Sequence, residues 1–137
     1  MNRTLVVTTH IFPLVPCEYS GCCPPVPGHP LGEWIKRELI AKGYSCTELD
    51  QIADGWTFVV EKSGLNVRIE ITYAAGEHED GSDTEWFISS EFEIPNMFFK
   101  PNFWFRSTEG KAFAEQIMRE LKYTIGNNLE MEIIRMQ

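Results

Sequence analysis

The stretch GWTFVVEKSGLNVRIEITYA, residues 55–74, constrains the fold more than any other part of the chain. Leu65, Val67, Ile69, Ile71 and Tyr73 alternate with Asn66, Arg68, Glu70 and Thr72, the period-two pattern of a strand with one face against a core. Ser63-Gly64 supplies the turn, so the stretch predicts two antiparallel strands joined as a hairpin. A hairpin needs a wider sheet or a covering helix to be stable, and the flanking sequence must provide both.

It does so on each side. TLVVTTHIF, residues 4–12, is rich in β-branched residues and predicts a first strand. In HPLGEWIKRELIAKG, residues 29–43, Leu31, Trp34, Ile35 and Leu39 recur at helical spacing, with Pro30 suited to the first turn and Gly43 to the stop. Glu33, Lys36, Arg37 and Lys42 mark the outer side of that helix. A short strand is expected over Cys46–Leu49. Further on, Trp86, Ile88, Ser90, Phe92 and Ile94 share one side of a strand, with Glu85, Glu91 and Glu93 on the other. Phe113, Ile117, Leu121 and Ile125 predict a second helix over about 107–123, ended by Gly126. LEMEIIRM closes the chain as an alternating strand. The order β-α-β-β-β-β-α-β predicts a two-layer α+β domain, a mainly antiparallel sheet with both helices on one face.

At 137 residues the chain fits one domain spanning 1–137, long enough to bury a core without disulfides or metal. Its 43% hydrophobic content excludes wholesale disorder. No internal repeat is present. Two irregular stretches stand out, a Cys/Pro segment at 13–30 and an aromatic segment at 95–106. The first seventeen residues lack a continuous apolar signal core, and no apolar run approaches the roughly 20 residues that span a bilayer. The expectation is a cytoplasmic protein with no membrane role.

The run GHPLGEWIKRELIAKGY through ADGWTFVV resembles the opening of small uncharacterised bacterial α+β proteins, in which a Trp-containing amphipathic helix precedes a Gly-Trp strand. The resemblance covers under half the chain. It implies the same fold class and a bacterial origin, and carries no activity with it.

Net charge is −8, from 12 basic and 20 acidic residues. No Lys or Arg occurs between Arg68 and Lys100, an interval that holds Glu70, Glu77, Glu79, Asp80, Asp83, Glu85, Glu91 and Glu93. The remaining acids balance the bases, so the whole excess lies in this region. A field of that sign repels phosphate backbones and attracts basic proteins, which argues against nucleic-acid binding.

PCEYSGCCPPVPGHP, residues 16–30, places Cys17, Cys22, Cys23 and His29 in a C-x4-C-C-x5-H spacing. Thiolates and an imidazole are a zinc-type ligand set, but the usual paired C-x2-C knuckles are absent. A thiol-bearing loop, a zinc site and a regulatory disulfide all remain open from the sequence. Cys46 reads as a small buried hydrophobe. GEHEDGSDTE lacks the order of an EF-hand loop and reads as a solvated turn.

No nucleophile-elbow, metalloprotease, phosphate-loop or dinucleotide motif appears, so no catalytic residue is named. Enzymatic use of the sheet carboxylates Glu70, Glu85, Glu91 and Glu93 ranks third among the readings, because nothing separates an acid from a base among them. The aromatic segment PNMFFKPNFWFR supplies Phe98, Phe99, Phe103, Trp104 and Phe105 as candidate anchors, since aromatic side chains dominate protein interfaces. The leading expectation is a non-enzymatic module, of the immunity or antitoxin kind. It would bind a basic protein through Glu85, Glu91, Glu93 and these aromatics, or associate with itself through them, and would need no cofactor. The alternative is a zinc-binding protein built on the Cys/His loop.

Overall fold

The computed structural model describes residues 3–9, 12, 27–73, 84–93, 103–128 and 131–136. Nine elements follow in order: β1 (Arg3–Thr9), α1 (His29–Ala41), β2 (Ser45–Cys46), β3 (Asp50–Ile52), β4 (Gly55–Lys62), β5 (Leu65–Tyr73), β6 (Thr84–Phe92), α2 (Phe103–Gly126) and β7 (Met131–Met136). The seven strands form one antiparallel sheet in the order β2-β4-β5-β6-β1-β7, with β3 also paired to β4. The fold is α+β, as the alternation and helical periods predict.

The β4–β5 hairpin has the expected register, from Lys62↔Leu65 to Gly55↔Thr72. Its turn residues Ser63 and Gly64 have φ of 53° and 78°, the paired positive values that match the twist of the flanking strands. A second two-residue turn, Ala53-Asp54, joins β3 to β4, with Ile52 opposite Gly55.

Of the expected strand over Cys46–Leu49 only Cys46 is in a strand, β2; Thr47–Leu49 interrupt the pairing, and β3 starts at Asp50. Two side chains explain the interruption. The Thr47 N–H still donates to Val59 O at 2.9 Å, but the return bond from the Val59 N–H goes to Thr47 Oγ1, at 2.8 Å, in place of a backbone carbonyl. Leu49 turns inward and fills the space beside Gly32, where a Cβ would stand 2.9 Å from its Cδ2.

One face of the sheet and both helices enclose the core. Leu5, Val7, Phe58, Val60, Val67, Ile69, Ile71, Trp86 and Ile88 come from the sheet, and Leu31, Ile35, Leu39, Phe113, Ile117, Met118, Leu121 and Ile125 from the helices. α1 ends in a Schellman arrangement: the Tyr44 N–H donates to Leu39 O, the Gly43 N–H donates to Ile40 O, and Gly43 takes φ 97°. α2 begins four residues earlier than its periodic stretch indicates and runs through Gly126. Its early start takes Phe103, Trp104 and Phe105 out of the irregular aromatic segment and into a helical turn.

Two tryptophans fix the end of the core from which α1 starts. Trp86 is 1% exposed and its Nε1–H donates to the Phe12 carbonyl at 3.0 Å. Gly28, at φ 120°, lies so close that a Cβ would meet Trp86 at 3.2 Å and Trp56 at 3.3 Å. Phe12 and Gly28 are thereby held against the same indole.

Candidate acidic sheet face

The register sorts the sheet residues into two faces. Opposite the helices, transverse rows read Ser45–Glu61–Asn66, then Val59–Arg68–Glu91, then Asp50–Thr57–Glu70–Ser89–Thr4, then Ile52–Gly55–Thr72–Phe87–Val6–Arg135, then Glu85–Thr8–Glu132. Glu93 joins the first of these rows, opposite Asn66, and its carboxylate forms an ion pair with Arg68 of the next row. Its N–H donates to Asn66 O at 3.0 Å, which continues the β5–β6 pairing past the end of β6. Glu85, Glu91 and Glu93 therefore share a face, as the alternation predicts, and Glu70 joins them from β5. Strand geometry separates Glu85 from Glu91 by roughly 20 Å along β6.

Glu132, with Asp50 and Glu61, is an acid of this face that the sequence reading does not assign to it. Its partner across the ladder is Thr8, which also pairs with Glu85, so Glu132 extends the acidic strip across β1 to the last strand. The signal is the alternation of Glu132 with Met131 and Ile133, but Glu132 lies outside the acidic interval between Arg68 and Lys100.

Electrostatically the face is unbalanced. Arg68 is engaged by Glu93, whereas Glu70, Glu85, Glu91 and Glu132 have no ion-pair partner among the described residues. Glu91 and Glu132 are exposed, and Glu70 and Glu85 are partly so. A cavity of about 400 Å³ lined by Arg68, Glu91, Phe92 and Glu93 opens at the end of the strip. Between the acids lie Thr4, Thr8, Thr72 and Ser89, with half-buried Phe87 at the middle. Val6 also stands on this face, yet it is fully buried and lies outside the core cluster.

The aromatic candidates fall elsewhere. Phe98 and Phe99 lie outside the described residues. Phe103, Trp104 and Phe105 occupy the first turn of α2, which belongs to the helix layer. The acids face the opposite side of the sheet, so the acidic and aromatic features that the sequence places next to each other belong to different layers.

Of the proposed metal ligands, Cys17, Cys22 and Cys23 lie outside the described residues. His29 opens α1, its ring edge-on to Trp56 with centroids 4.7 Å apart and its Nε2 3.8 Å from Glu33 Oε1. No group of three or more His, Cys, Asp or Glu able to hold a metal ion occurs among the described residues. The acidic turn at 76–83 is likewise outside them.

Among the described residues, two groups where α1 leads into β2 have displaced pKa values. Burial pushes the Cys46 thiol up to about 11, against a smaller downward pull from the Lys36 ammonium. Tyr44 is held well above the ordinary phenol range, first by burial and then by the Glu120 carboxylate, which accepts its hydrogen bond and opposes a phenolate charge. Both are thus neutral at physiological pH, and neither is an activated nucleophile.

No family model, curated protein or solved structure matches the chain. No helix among the described residues is long and apolar enough to cross a membrane.

Proposed function

We propose that this chain is a protein-binding module that docks a basic protein on the acidic face of its sheet, in the manner of an immunity or antitoxin protein. The observation that carries the reading is the register, which aligns Glu70, Glu85, Glu91, Glu93 and Glu132 on the face away from both helices. Carboxylates on a sheet, four of them without an ion-pair partner among the described residues, speed the encounter with a cationic surface and set its orientation, while hydroxyls and Phe87 between them offer neutral contacts. A sheet built on a well-packed core holds these groups without an ordering cost at binding.

The chemistry of the face favours binding over catalysis. An open row of carboxylates is the ordinary form of a cation-selective surface.

The test is affinity capture from cells of the native host, with the wild-type chain, a Glu70→Lys/Glu91→Lys variant, and a Lys111→Glu control on the exposed side of α2. The expected result is one basic protein retained by wild type and control and lost by the sheet variant, with isolated components binding again at low salt. A partner that the sheet variant holds as tightly, or no partner for any of the three, overturns the reading.

A further inference from the structure

The two sheet edges are treated differently. At one, β2 and β3 are only two and three residues long, and the Thr47 hydroxyl takes a ladder N–H. At the other, β7 is an unbroken run of six residues without proline, paired on its inner side to β1 and, among the described residues, to no strand on its outer side. Such an edge presents backbone N–H and C=O groups ready for another strand.

The register of β7 points to the identity of that strand. Thr9, Thr8 and Val7 pair with Met131, Glu132 and Ile133, whereas Val6 and Leu5 pair with Arg135 and Met136, so Ile134 is an extra residue in a bulge. In a regular strand, positions 132 and 135 fall on opposite faces. The bulge puts both at outer-face positions, opposite Thr8 and Val6. The pleat then reads Met, Glu, Ile-Ile, Arg, Met, and has the same pattern of faces in either direction.

We infer that β7 is a self-pairing edge whose partner is the β7 of a second copy, antiparallel and related by a two-fold axis normal to the sheet through the Ile133–Ile134 step. That axis sets Glu132 of each copy across from Arg135 of the other and Met131 across from Met136. The two oppositely charged pairs are equivalent by symmetry, as an isologous contact requires. A bulge in an edge strand ordinarily deters pairing by bending it away. Here the two bulges meet on the axis, so the bends coincide and the flanking steps carry the ladder. A strand from an unrelated protein has no reason to carry the reciprocal charge order. The axis also keeps all helices on one side of the joined sheet and both acidic faces on the other.

An edge contact of five pleat positions is small beside a standard interface of about 1,600 Å², so the dimer is weak, with dissociation in the micromolar range or above. The inference is independent of the basic-partner reading, and Glu91→Lys serves as the control that separates them.

Sedimentation of the full chain over a concentration series is the test. Wild type and Glu91→Lys are expected to show the same monomer–dimer equilibrium. Glu132→Arg and Arg135→Glu are each expected to weaken it at least tenfold, and the double variant, which exchanges the charges, is expected to restore it. Circular dichroism checks that each variant is folded, with Glu132→Gln replacing any single variant that is not. Amide exchange on wild type supplies a second reading, in which β7 amides gain protection as concentration rises. A wild-type chain that stays monomeric, single variants that dimerise normally, or a folded double variant that remains monomeric overturns the inference.

Discussion

Gly110 of α2 is packed directly against the Phe92 ring of β6, closely enough that a methyl group on Gly110 would overlap the ring. Alanine at this position should improve helix propensity by about 1 kcal/mol. Overpacking typically costs 1–3 kcal/mol, and this collision involves a ring held by a strand, so the cost should prevail. Gly110→Ala is expected to lower stability by about 1–2 kcal/mol in denaturant unfolding. Combined with Phe92→Ala, it should cost less than the two changes summed, because the collision is gone.

Ser90 stands on the core face, 2% exposed, and its Oγ has no hydrogen-bond partner among the described residues. Burying an unpaired hydroxyl costs free energy, and removing it forfeits no bond. Ser90→Ala should therefore leave stability unchanged or raise it by about 1 kcal/mol. A loss of more than that in urea unfolding would show that the hydroxyl has a partner.

The hairpin turn offers the opposite case, a residue type that can be improved. Ser63 takes a left-handed φ of 53° ahead of Gly64, where Asn is favoured over Ser. Ser63→Asn is expected to stabilise by about 0.5 kcal/mol, seen as a higher denaturant midpoint with an unchanged slope.

Cys46 gives a pH signature. Its thiol is raised from 9.0 to about 11, chiefly by burial, so the folded state favours the protonated form. A raised folded pKa stabilises fully below the unfolded value and the contribution is lost as pH rises towards the folded one. Stability should fall between pH 9 and pH 11, and Tyr44, raised in the same direction, extends the loss to higher pH. In a chain with Cys17, Cys22 and Cys23 replaced by Ser, alkylation of Cys46 at pH 8 should be at least about tenfold slower than that of an unstructured cysteine peptide, since only the thiolate reacts.

Alternation and helical period made much of this fold legible. The β4–β5 register, the helix-side residues Leu31, Ile35 and Leu39, and the common face of Glu85, Glu91 and Glu93 follow from spacing alone. What spacing does not encode is where a side chain displaces the backbone from its partner. The Thr47 hydroxyl takes a ladder N–H where an expected strand stops short, and the bulge at Ile134 brings Arg135 onto the face that Glu132 occupies. The start of α2 was missed for a different reason: Phe103, Trp104 and Phe105 are consecutive and aromatic, so they show no period. The lead-in Pro101-Asn102, a helix-blocking residue before a favoured N-cap type, was the usable signal. Charge counting located the acidic region in sequence, but only the layer order separates it from the helical turn that carries those aromatics.

Arg68 partly neutralises the strip through its ion pair with Glu93, at side-chain exposures of 39% and 31%. A pair this accessible is worth at most about 1 kcal/mol, so Arg68→Ala should cost little stability. The same change frees the Glu93 carboxylate and removes the cation described on this part of the face, beside Glu91. Under the basic-partner reading, association should quicken severalfold at low ionic strength, and the gain should shrink as salt screens it. Glu93→Gln should do the reverse, because it removes an acid and leaves Arg68 facing the partner. Stopped-flow association of the captured partner at two salt concentrations measures both. An unchanged or slower rate for Arg68→Ala, in a chain that remains folded, would place the docking surface elsewhere on the molecule.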